Sequence, residues 1–409
     1  MIYIIIFIYL FALSFYYDVL GYRSHNSLTY NLYFLASLCI LILVSGLRYR
    51  LGADTYLYMI YYNHHCHDLF HLTSYDLSGG IYGYEPLWVI LNSFCKTFTD
   101  DFWPVQIIVS TFHISAWGYF VKKVCPSYCF LMLVFFFLFE WFHMDFVLMR
   151  EAIALGLFLL AVLSLNSKRY LQMLFFIVVS FFFHKFSVLI FLAFFLYYKL
   201  LSRDLRLGYT LVFFMMFLGL IYDGWVWEII GRFIGIDSMY AQRLSAYMNS
   251  DYYGSSSLNW KGRLVLYASI GFYLYVLRKM RYEIATYVRL DRRIVETAII
   301  MGAAILTIKD SVLIFYRVYD YFHTFTSMIS VVFLVSVAKS NFFYRYKIVW
   351  FIVFMLIPMR FFYSSYINAQ WGGQDYVKRI REFVPYSSVL FPEKDPVRES
   401  RIFNTRRIK

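Results

Sequence analysis

Charged residues are scarce in this chain. Only 15% of its 409 residues are charged, whereas 61% are hydrophobic and 23% are aromatic. A soluble domain has about 25% charged residues, with which it covers the surface that faces water. The composition therefore excludes an ordinary soluble protein and predicts that much of the surface faces lipid.

Short alternating hydrophobic patterns are also missing, which excludes an outer-membrane β-barrel. The apolar runs are instead long and continuous, and a helix needs about 20 such residues to cross the hydrocarbon core. We therefore predict an all-α, polytopic membrane helix bundle with about twelve spans, to within one. The predicted spans are 2–20, 29–47, 104–122, 126–143, 147–165, 170–183, 186–201, 207–222, 263–279, 294–313, 317–338 and 347–363.

Cysteines are few, and their pattern predicts no disulfide framework. The chain has five cysteines and no pair separated by two residues. The first apolar run starts at Met1 without a basic region or a small-residue cleavage site, so we interpret it as a retained span. No internal repeat or soluble segment stands out, and we predict one membrane-embedded domain over 1–409.

The net charge of +13 is unevenly distributed. Basic clusters fall in alternate connections, which the positive-inside rule places in the cytoplasm, so a nucleic-acid partner is not expected. The other side then receives the external loops 48–103 and 223–262 and the polar, basic tail 364–409. Within the first loop, 84–98 is short for a span and is typical of an amphipathic or re-entrant helix, and whether it spans decides the side of the N-terminus.

The first external loop begins with a polar motif directly after an apolar span. Arginine is a bidentate donor suited to phosphate, and a glycine lets a backbone approach a ligand closely. An aspartate can pair with arginine or serve as a base. The alternative is an interfacial anchor of snorkelling arginines and belt tyrosines. The residues concerned are Arg48, Arg50, Gly52, Asp54 and Tyr58.

Three further outer turns carry ionisable residues, which are costly near membrane depth and usually face a cavity or a partner. They contain Arg150 and Glu151, His184 and Lys185, and Lys309 and Asp310 with Arg317 and Tyr321 shortly after. Adjacent opposite charges can simply neutralise one another, and a lone histidine is often a turn residue. Together, however, the turns predict one site beside the bilayer.

Two other segments have weaker signals. His67 and His71 have the spacing of a helical zinc pair, but no second ligand cluster accompanies His64–His71, so no metal site is predicted. The loop 223–262 combines arginines with aromatic residues. It suits carbohydrate stacking or, equally, an interfacial cover.

The motifs, in order, resemble those of the EpsG family of Wzy-type polysaccharide polymerases. The resemblance covers most of the chain and rests on ordered motifs, none of them specific alone. Glu151 departs from it, because glutamine is commoner there, as does the histidine-rich insert. The matching residues are Gly46–Tyr49 with Gly52, Asp54 and Tyr58, then Gly83–Leu87, Arg150 with Ala152–Ala154, His184, Arg317 with Tyr321, and Pro385–Tyr386.

The resemblance implies an enzyme that polymerises undecaprenyl-diphosphate-linked oligosaccharides into O-antigen or capsule, without metal or cofactor. It implies a multi-pass protein of the bacterial inner membrane whose active site faces the periplasm. Expected partners are the lipid-linked substrates, the bilayer, and a chain-length regulator and a flippase. The expected bases are Asp54, then His184 or Glu85. The expected substrate-binding residues are Arg48, Arg50, Gly52, Tyr58, Arg150, Arg317 and Tyr321.

Three alternatives stay open. An O-antigen ligase uses the same class of donor. A lipid-linked oligosaccharide flippase should have charges buried in mid-helix and internal repeats, whereas the charges here are expected at helix ends. A membrane acyltransferase would be favoured by a histidine within an early span, and we expect none.

Overall fold

The computed structural model describes residues 1–21, 27–201, 205–221, 260–311, 315–339, 347–367, 370–371 and 374–400. Nearly all of the predicted external loop 223–262 lies outside the described residues. The described chain divides into two compact units. Unit 1 comprises Met1–Phe191 and Tyr346–Lys409, and unit 2 comprises Leu192–Arg345.

A helix lies at each of the twelve predicted spans. In unit 1 these helices are α1 (Ile2–Leu13), α2 (Leu28–Gly46), α6 (Trp103–Val124), α7 (Cys129–Phe136) with α8 (Phe142–Phe146), α9 (Met149–Asn166), α10 (Tyr170–Phe183), α11 (Phe186–Leu196, ending in unit 2) and α17 (Lys347–Phe362). In unit 2 they are α12 (Leu205–Ile221), α13 (Trp260–Lys279), α15 (Arg292–Ser311) and α16 (Phe315–Lys339); the short α14 spans Arg281–Tyr287.

Five of these helical stretches are long and apolar enough to cross a membrane. They are Ile2–Val19, Leu28–Gly46, Cys129–Phe146, Met149–Asn166 and Phe315–Ala338. The prediction of a helical membrane protein is therefore confirmed. The count of about twelve spans stays a prediction, because the other described helices are shorter or less apolar.

The core of unit 1 forms around the stretch Cys129–Phe146, of which 94% is buried. A helix that is apolar on all sides and enclosed by other helices is typical of the centre of a bundle. Helix α1 packs against α7, α2 against α6, and α9 against both α6 and α10. In α17, the ring of Phe351 contacts Phe11 with a centroid distance of 5.3 Å.

At one end of unit 1, a buried aspartate joins three helices. Asp18, just after α1, accepts a hydrogen bond of 2.7 Å from the backbone N–H of Leu131 in α7 and another of 3.4 Å from the Tyr30 hydroxyl in α2. The ammonium of Lys122 lies 4.4 Å from the centroid of the Tyr30 ring. The end of α6 and the starts of α2 and α7 therefore lie together around Asp18.

The loop 48–103 is built from three short helices, α3 (Ala53–His64), α4 (Ser74–Leu77) and α5 (Pro86–Lys96). Thr73 and Asp76 form a capping box at the start of α4, and Pro86 opens α5, where a missing N–H has no cost. Helix α5 has 11 residues. It is thus the short helix predicted for 84–98 and is too short for a span.

The tail folds back onto the start of this loop. A hairpin of β1 (Gln370–Trp371) and β2 (Gln374–Lys378) leads into a 3-10 turn at Arg379–Glu382. Beyond it, the backbone N–H of Tyr49 donates to Ser387 O at 2.8 Å, and that of Val389 donates to Leu47 O at 2.8 Å. The Tyr3 hydroxyl donates to Phe383 O at 3.0 Å. The N-terminal end of α1, the tail and residues 47–49 therefore lie at one end of unit 1.

Unit 2 is a smaller helical cluster. Helix α15 packs against α12, α13 and α16, and α13 also packs against α16. Gly302 of α15 lies so close to α16 that a Cβ there would be 3.1 Å from the Cβ of Phe322. This glycine therefore permits the close approach of the two helices.

Candidate functional site

An ion pair between Arg150 and Glu85 lies at the centre of the candidate site. Glu85 is the N-cap residue of α5, and Arg150 is in the first turn of α9. The Nη1 group of Arg150 donates to Glu85 Oε2, and 21% of the arginine side chain is exposed. Two motifs that are 65 residues apart in the sequence are therefore in direct contact.

Two tyrosines hold the guanidinium of Arg150. Its Nε donates to the Tyr58 hydroxyl at 3.3 Å, and its Cζ lies 4.7 Å from the centroid of the Tyr84 ring. A guanidinium in this position is attracted by the aromatic face. Arg150 Nη2 is bonded to no residue that the structure describes. One edge of the guanidinium thus keeps donors for a ligand.

The turn between α10 and α11 closes the other side of the pair. The backbone N–H of Lys185 donates to Glu85 Oε1 at 3.3 Å, so both carboxylate oxygens of Glu85 are engaged. His184 Nε2 lies 3.7 Å from Glu151 Oε1. Glu151 is thus the partner of a predicted site residue, although the resemblance gave little reason to select it.

Asp54 is in the first turn of α3, where the helix dipole favours a carboxylate. Burial raises the pKa of Tyr84 well above its ordinary value, and the charge of Asp54 contributes in the same direction. Asp54 is therefore within electrostatic reach of the ring that contacts Arg150. The structure gathers Asp54, Tyr58, Glu85, Arg150 and His184 at one place within unit 1, whereas the prediction that the turn with Arg317 joins the same site remains untested.

Arg48 is enclosed by protein. It is only 1% exposed, and it donates to Ser45 O and, at 2.9 Å, to the Thr55 hydroxyl. The Thr55 hydroxyl in turn donates to Phe146 O at 2.6 Å. Burial lowers the pKa of Arg48 to about 10, and Asp145 opposes this shift, so the guanidinium is charged at neutral pH. That Arg48 contacts substrate stays a prediction, because its identified partners are internal.

Arg50 and Gly52 also have internal partners. Arg50 forms an ion pair of 2.6 Å with Glu399 of the tail. Gly52 has a φ of +91°, and a Cβ at this position would lie 1.8 Å from Phe146 O. Its close backbone approach is therefore to α8, and its predicted contact with substrate remains untested.

The tail also caps α3. Glu382 is 1% exposed, and its Oε1 accepts a hydrogen bond of 2.7 Å from the backbone N–H of Ala53, at the positive end of the helix dipole. The Tyr386 hydroxyl donates to Val44 O at 3.0 Å, and burial raises the pKa of Tyr386 to about 12. The closing motif Pro385–Tyr386 thus supports the first motif of the chain.

Arg317 and Tyr321 lie in unit 2, one turn apart at the start of α16. Residues four apart share one face of a helix. Arg317 is partly exposed, whereas Tyr321 is buried. Their predicted contacts with substrate remain untested. The side chains of Lys309 and Asp310 lie outside the described residues.

A buried pair of ionisable residues corrects the expectation that charges lie only at helix ends. His113 in the middle of α6 and Asp145 in α8 are both fully buried, and His113 Nδ1 lies 3.0 Å from Asp145 Oδ2. The expectation of no histidine in an early span was also wrong. The sequence signal for this pair was a single polar residue, His113 or Asp145, among apolar residues in each helix.

The histidine-rich segment forms hydrogen-bonded pairs. His67 Nδ1 lies 3.0 Å from Asp76, and His71 Nδ1 lies 2.9 Å from Asp68. Across the described ranges, no group of three or more ligating side chains is arranged to hold a metal ion.

These observations define a helical membrane protein with a charged and aromatic site where several helices begin or end. The model of the EpsG family matches residues 31–388, and the chain belongs to this family. No curated protein and no solved structure matches the chain. Family membership indicates a role in polysaccharide biosynthesis of the membrane polymerase type.

Proposed function

We propose that this protein joins undecaprenyl-diphosphate-linked oligosaccharide repeat units into a surface polysaccharide, O-antigen or capsule, at the periplasmic face of the inner membrane. The observation that carries the proposal is the meeting of four separate segments around the Arg150–Glu85 pair. Each segment contributes a group that suits transfer of a sugar chain from a lipid diphosphate.

Arg150 is the proposed contact for the diphosphate. Negative charge develops on the leaving diphosphate as the glycosidic bond breaks, and fixed cationic donors stabilise it. Arg150 keeps Nη2 for this purpose while Tyr58 and Glu85 hold its other nitrogens. Glu85 neutralises the arginine when no substrate is bound, so the site need not hold an isolated buried charge.

His184 is the proposed base for the acceptor hydroxyl. A neighbouring carboxylate can stabilise the protonated form of a histidine that acts as a general base. Glu151, 3.7 Å from His184, can supply that stabilisation. Asp54 is the second candidate. Glu85 suits the role less well, because both of its oxygens already accept hydrogen bonds.

Arg48 is proposed as a positioning residue. Its bonds to Ser45 O and Thr55 connect the end of α2 to the first turn of α3, and Thr55 connects α3 to α8. Tyr58 follows one turn later on α3, so the placement of its hydroxyl depends on this connection. The loop 48–52 therefore positions the site residues of α3 without contacting the substrate itself.

The decisive experiment uses a deletion strain complemented with wild type, Arg150→Ala or Lys96→Ala. Lys96 is the matched control, because it forms the ion pair with Asp100 at the opposite end of α5. We expect the deletion and Arg150→Ala to leave single capped repeat units and Lys96→Ala to restore the long chains, as judged by gel electrophoresis of the polysaccharide. A normal ladder in the deletion strain would refute the proposal.

The same gel separates an O-antigen ligase, and an accessibility assay separates a flippase. Loss of an O-antigen ligase would leave the lipid A core without even one unit. The His113–Asp145 pair is a specific observation in favour of a flippase, because transporters place charges in mid-helix. Loss of a flippase would trap lipid-linked units on the cytoplasmic side, where they stay protected from added periplasmic glycosidase in spheroplasts.

A further inference from the structure

Four ring side chains beside the candidate site form an aromatic ladder, defined as His65, Tyr82, Tyr84 and Tyr61. The rings of Tyr82 and Tyr84 are stacked, with centroids 5.4 Å apart and an interplanar angle of 17°. Tyr61 contacts both rings edge-on, at 5.5 and 4.9 Å. The His65 ring lies 5.3 Å from that of Tyr82. The ladder is thus a continuous aromatic surface.

The ladder leads from solvent to Arg150. Tyr82 is 36% exposed and His65 is exposed, whereas Tyr84 is 6% exposed. The guanidinium of Arg150 lies over the Tyr84 ring. A ligand on Tyr82 would therefore lie next to the groups proposed for the diphosphate.

A defined turn holds Tyr82 in this position. Gly79 and Gly83 have φ values of +111° and +66°, which residues with a side chain rarely adopt. The backbone N–H of Gly83 donates to Gly79 O at 2.7 Å, and that of Tyr84 donates to the same oxygen at 3.2 Å. The turn therefore fixes the angle at which the Tyr82 ring is presented.

The segment before the turn is braced by polar contacts. Asp76 accepts hydrogen bonds from the hydroxyl of Thr73 at 2.6 Å and from its backbone N–H at 2.9 Å, and it also contacts His67. An exposed aromatic residue on a braced turn loses little side-chain entropy when a ligand packs on it.

We propose that the aromatic ladder is a carbohydrate subsite, in which the sugar residue next to the diphosphate-linked residue packs against Tyr82. The C–H face of a pyranose suits an aromatic ring, and the tyrosine hydroxyls and the His65 imidazole can bond its hydroxyl groups. This inference rests on the proposed function and names the place of one sugar within it.

Binding is measured with the full-length protein in nanodiscs by saturation-transfer NMR. The probe is the oligosaccharide fraction released by mild acid from the surface polysaccharide of the producing cell. We expect Tyr82→Ala to weaken binding about tenfold and Tyr82→Phe to retain most of it. Phe70→Ala is the matched control and should bind like wild type, because Phe70 is 85% exposed in the same loop but outside the ladder.

Two results would overturn the inference. One is unchanged binding by Tyr82→Ala in a strain whose long chains depend on the protein, in which case the proposed function stands. The other is that brominated lipids quench the tryptophan fluorescence of a Tyr82→Trp variant while the oligosaccharides leave this fluorescence unchanged. Tyr82 would then be a bilayer anchor. Tyr82-dependent binding supports the subsite even if the deletion strain still makes long polysaccharide chains.

Discussion

Arg48 and Arg150 stand in similar sequence contexts and in different structural ones. Each lies at or near the end of a long apolar helix, and each was predicted to bind substrate. Arg48 is almost fully buried and binds a carbonyl and a hydroxyl. Arg150 is partly exposed and binds a carboxylate and two tyrosines. Spacing from a membrane helix therefore does not distinguish a supporting arginine from one that is open to a ligand.

The partners explain the difference. Neutral partners, a carbonyl and a hydroxyl, fix the guanidinium of Arg48, and Asp145 supplies a counter-charge from within the bundle. Arg150 is held by the carboxylate of Glu85, and the proposed function has a phosphate bind the same guanidinium. The contacts of Arg48 stabilise the fold, whereas those of Arg150 leave one edge of its guanidinium for the proposed ligand. The predictions below test this contrast.

The largest expected effect is that of Arg150→Ala on polymer length. Removing a cationic donor at a developing negative charge lowers the rate about 100- to 1,000-fold. The melting temperature should also fall, because the buried carboxylate of Glu85 loses its ion-pair partner, so activity is compared per amount of protein in the membrane. Arg150→Lys should recover little activity, because an ammonium lacks the planar fork. Chain length on a gel and immunoblots report the two properties.

Arg48→Ala should mainly destabilise the protein. It leaves the buried Ser45 carbonyl and the buried Thr55 hydroxyl without their donor, and each buried group that loses its hydrogen-bond partner costs about 1–3 kcal/mol. We expect a lower melting temperature in detergent and less protein in the membrane, with activity lost in proportion. A stable Arg48→Ala protein that makes only single units would instead place Arg48 among the substrate contacts.

Thr55→Val tests the connection from Arg48 to α8. The variant keeps the shape of the side chain and removes the hydrogen bonds to Arg48 and Phe146 O. Leaving these buried groups unpaired costs about 1–3 kcal/mol. Thr55→Ser keeps the hydroxyl and should melt close to wild type. Equal melting temperatures for the two variants would show that the hydroxyl contributes nothing.

Glu382→Gln tests how the tail supports α3. The substitution removes a negative charge from the N-terminal end of the helix, where such a charge stabilises by about 0.3–1 kcal/mol. We expect a small fall in melting temperature that changes little with salt, because Glu382 is buried. Glu393→Gln serves as the control on an exposed part of the same tail.

The smallest expected effect is a pH dependence of the loop that carries the aromatic ladder. Partial burial acts to raise the pKa of Asp76, but hydrogen bonds from Thr73 and His67 outweigh it and lower this pKa. The stabilisation is therefore complete above about pH 4 and is lost as the pH falls through the lowered value. The protection of the backbone amides of 67–84 from hydrogen exchange should fall in that range. Asp76→Asn should abolish this pH-dependent change.

Much of the candidate site could be predicted from the sequence. Asp54, Glu85, Arg150 and His184 stood out because each interrupts or borders an apolar run, and the structure brings them together within unit 1. Glu151 was undervalued because the resemblance favours another residue there. His113 and Asp145 were missed because one polar residue barely changes the mean hydropathy of a long apolar segment.

The sequence by itself determined the helical membrane class, the family, and the approximate positions of α5 and of the helices at the twelve predicted spans. These properties depend on local composition and on ordered motifs, which can be identified in a single sequence. Only the tertiary structure decided that Arg48 is enclosed, that Arg150 keeps an open edge and that the tail supports the first motif. Burial and partners depend on residues that are distant in the chain, such as Glu85 for Arg150 and Ser387 for Tyr49.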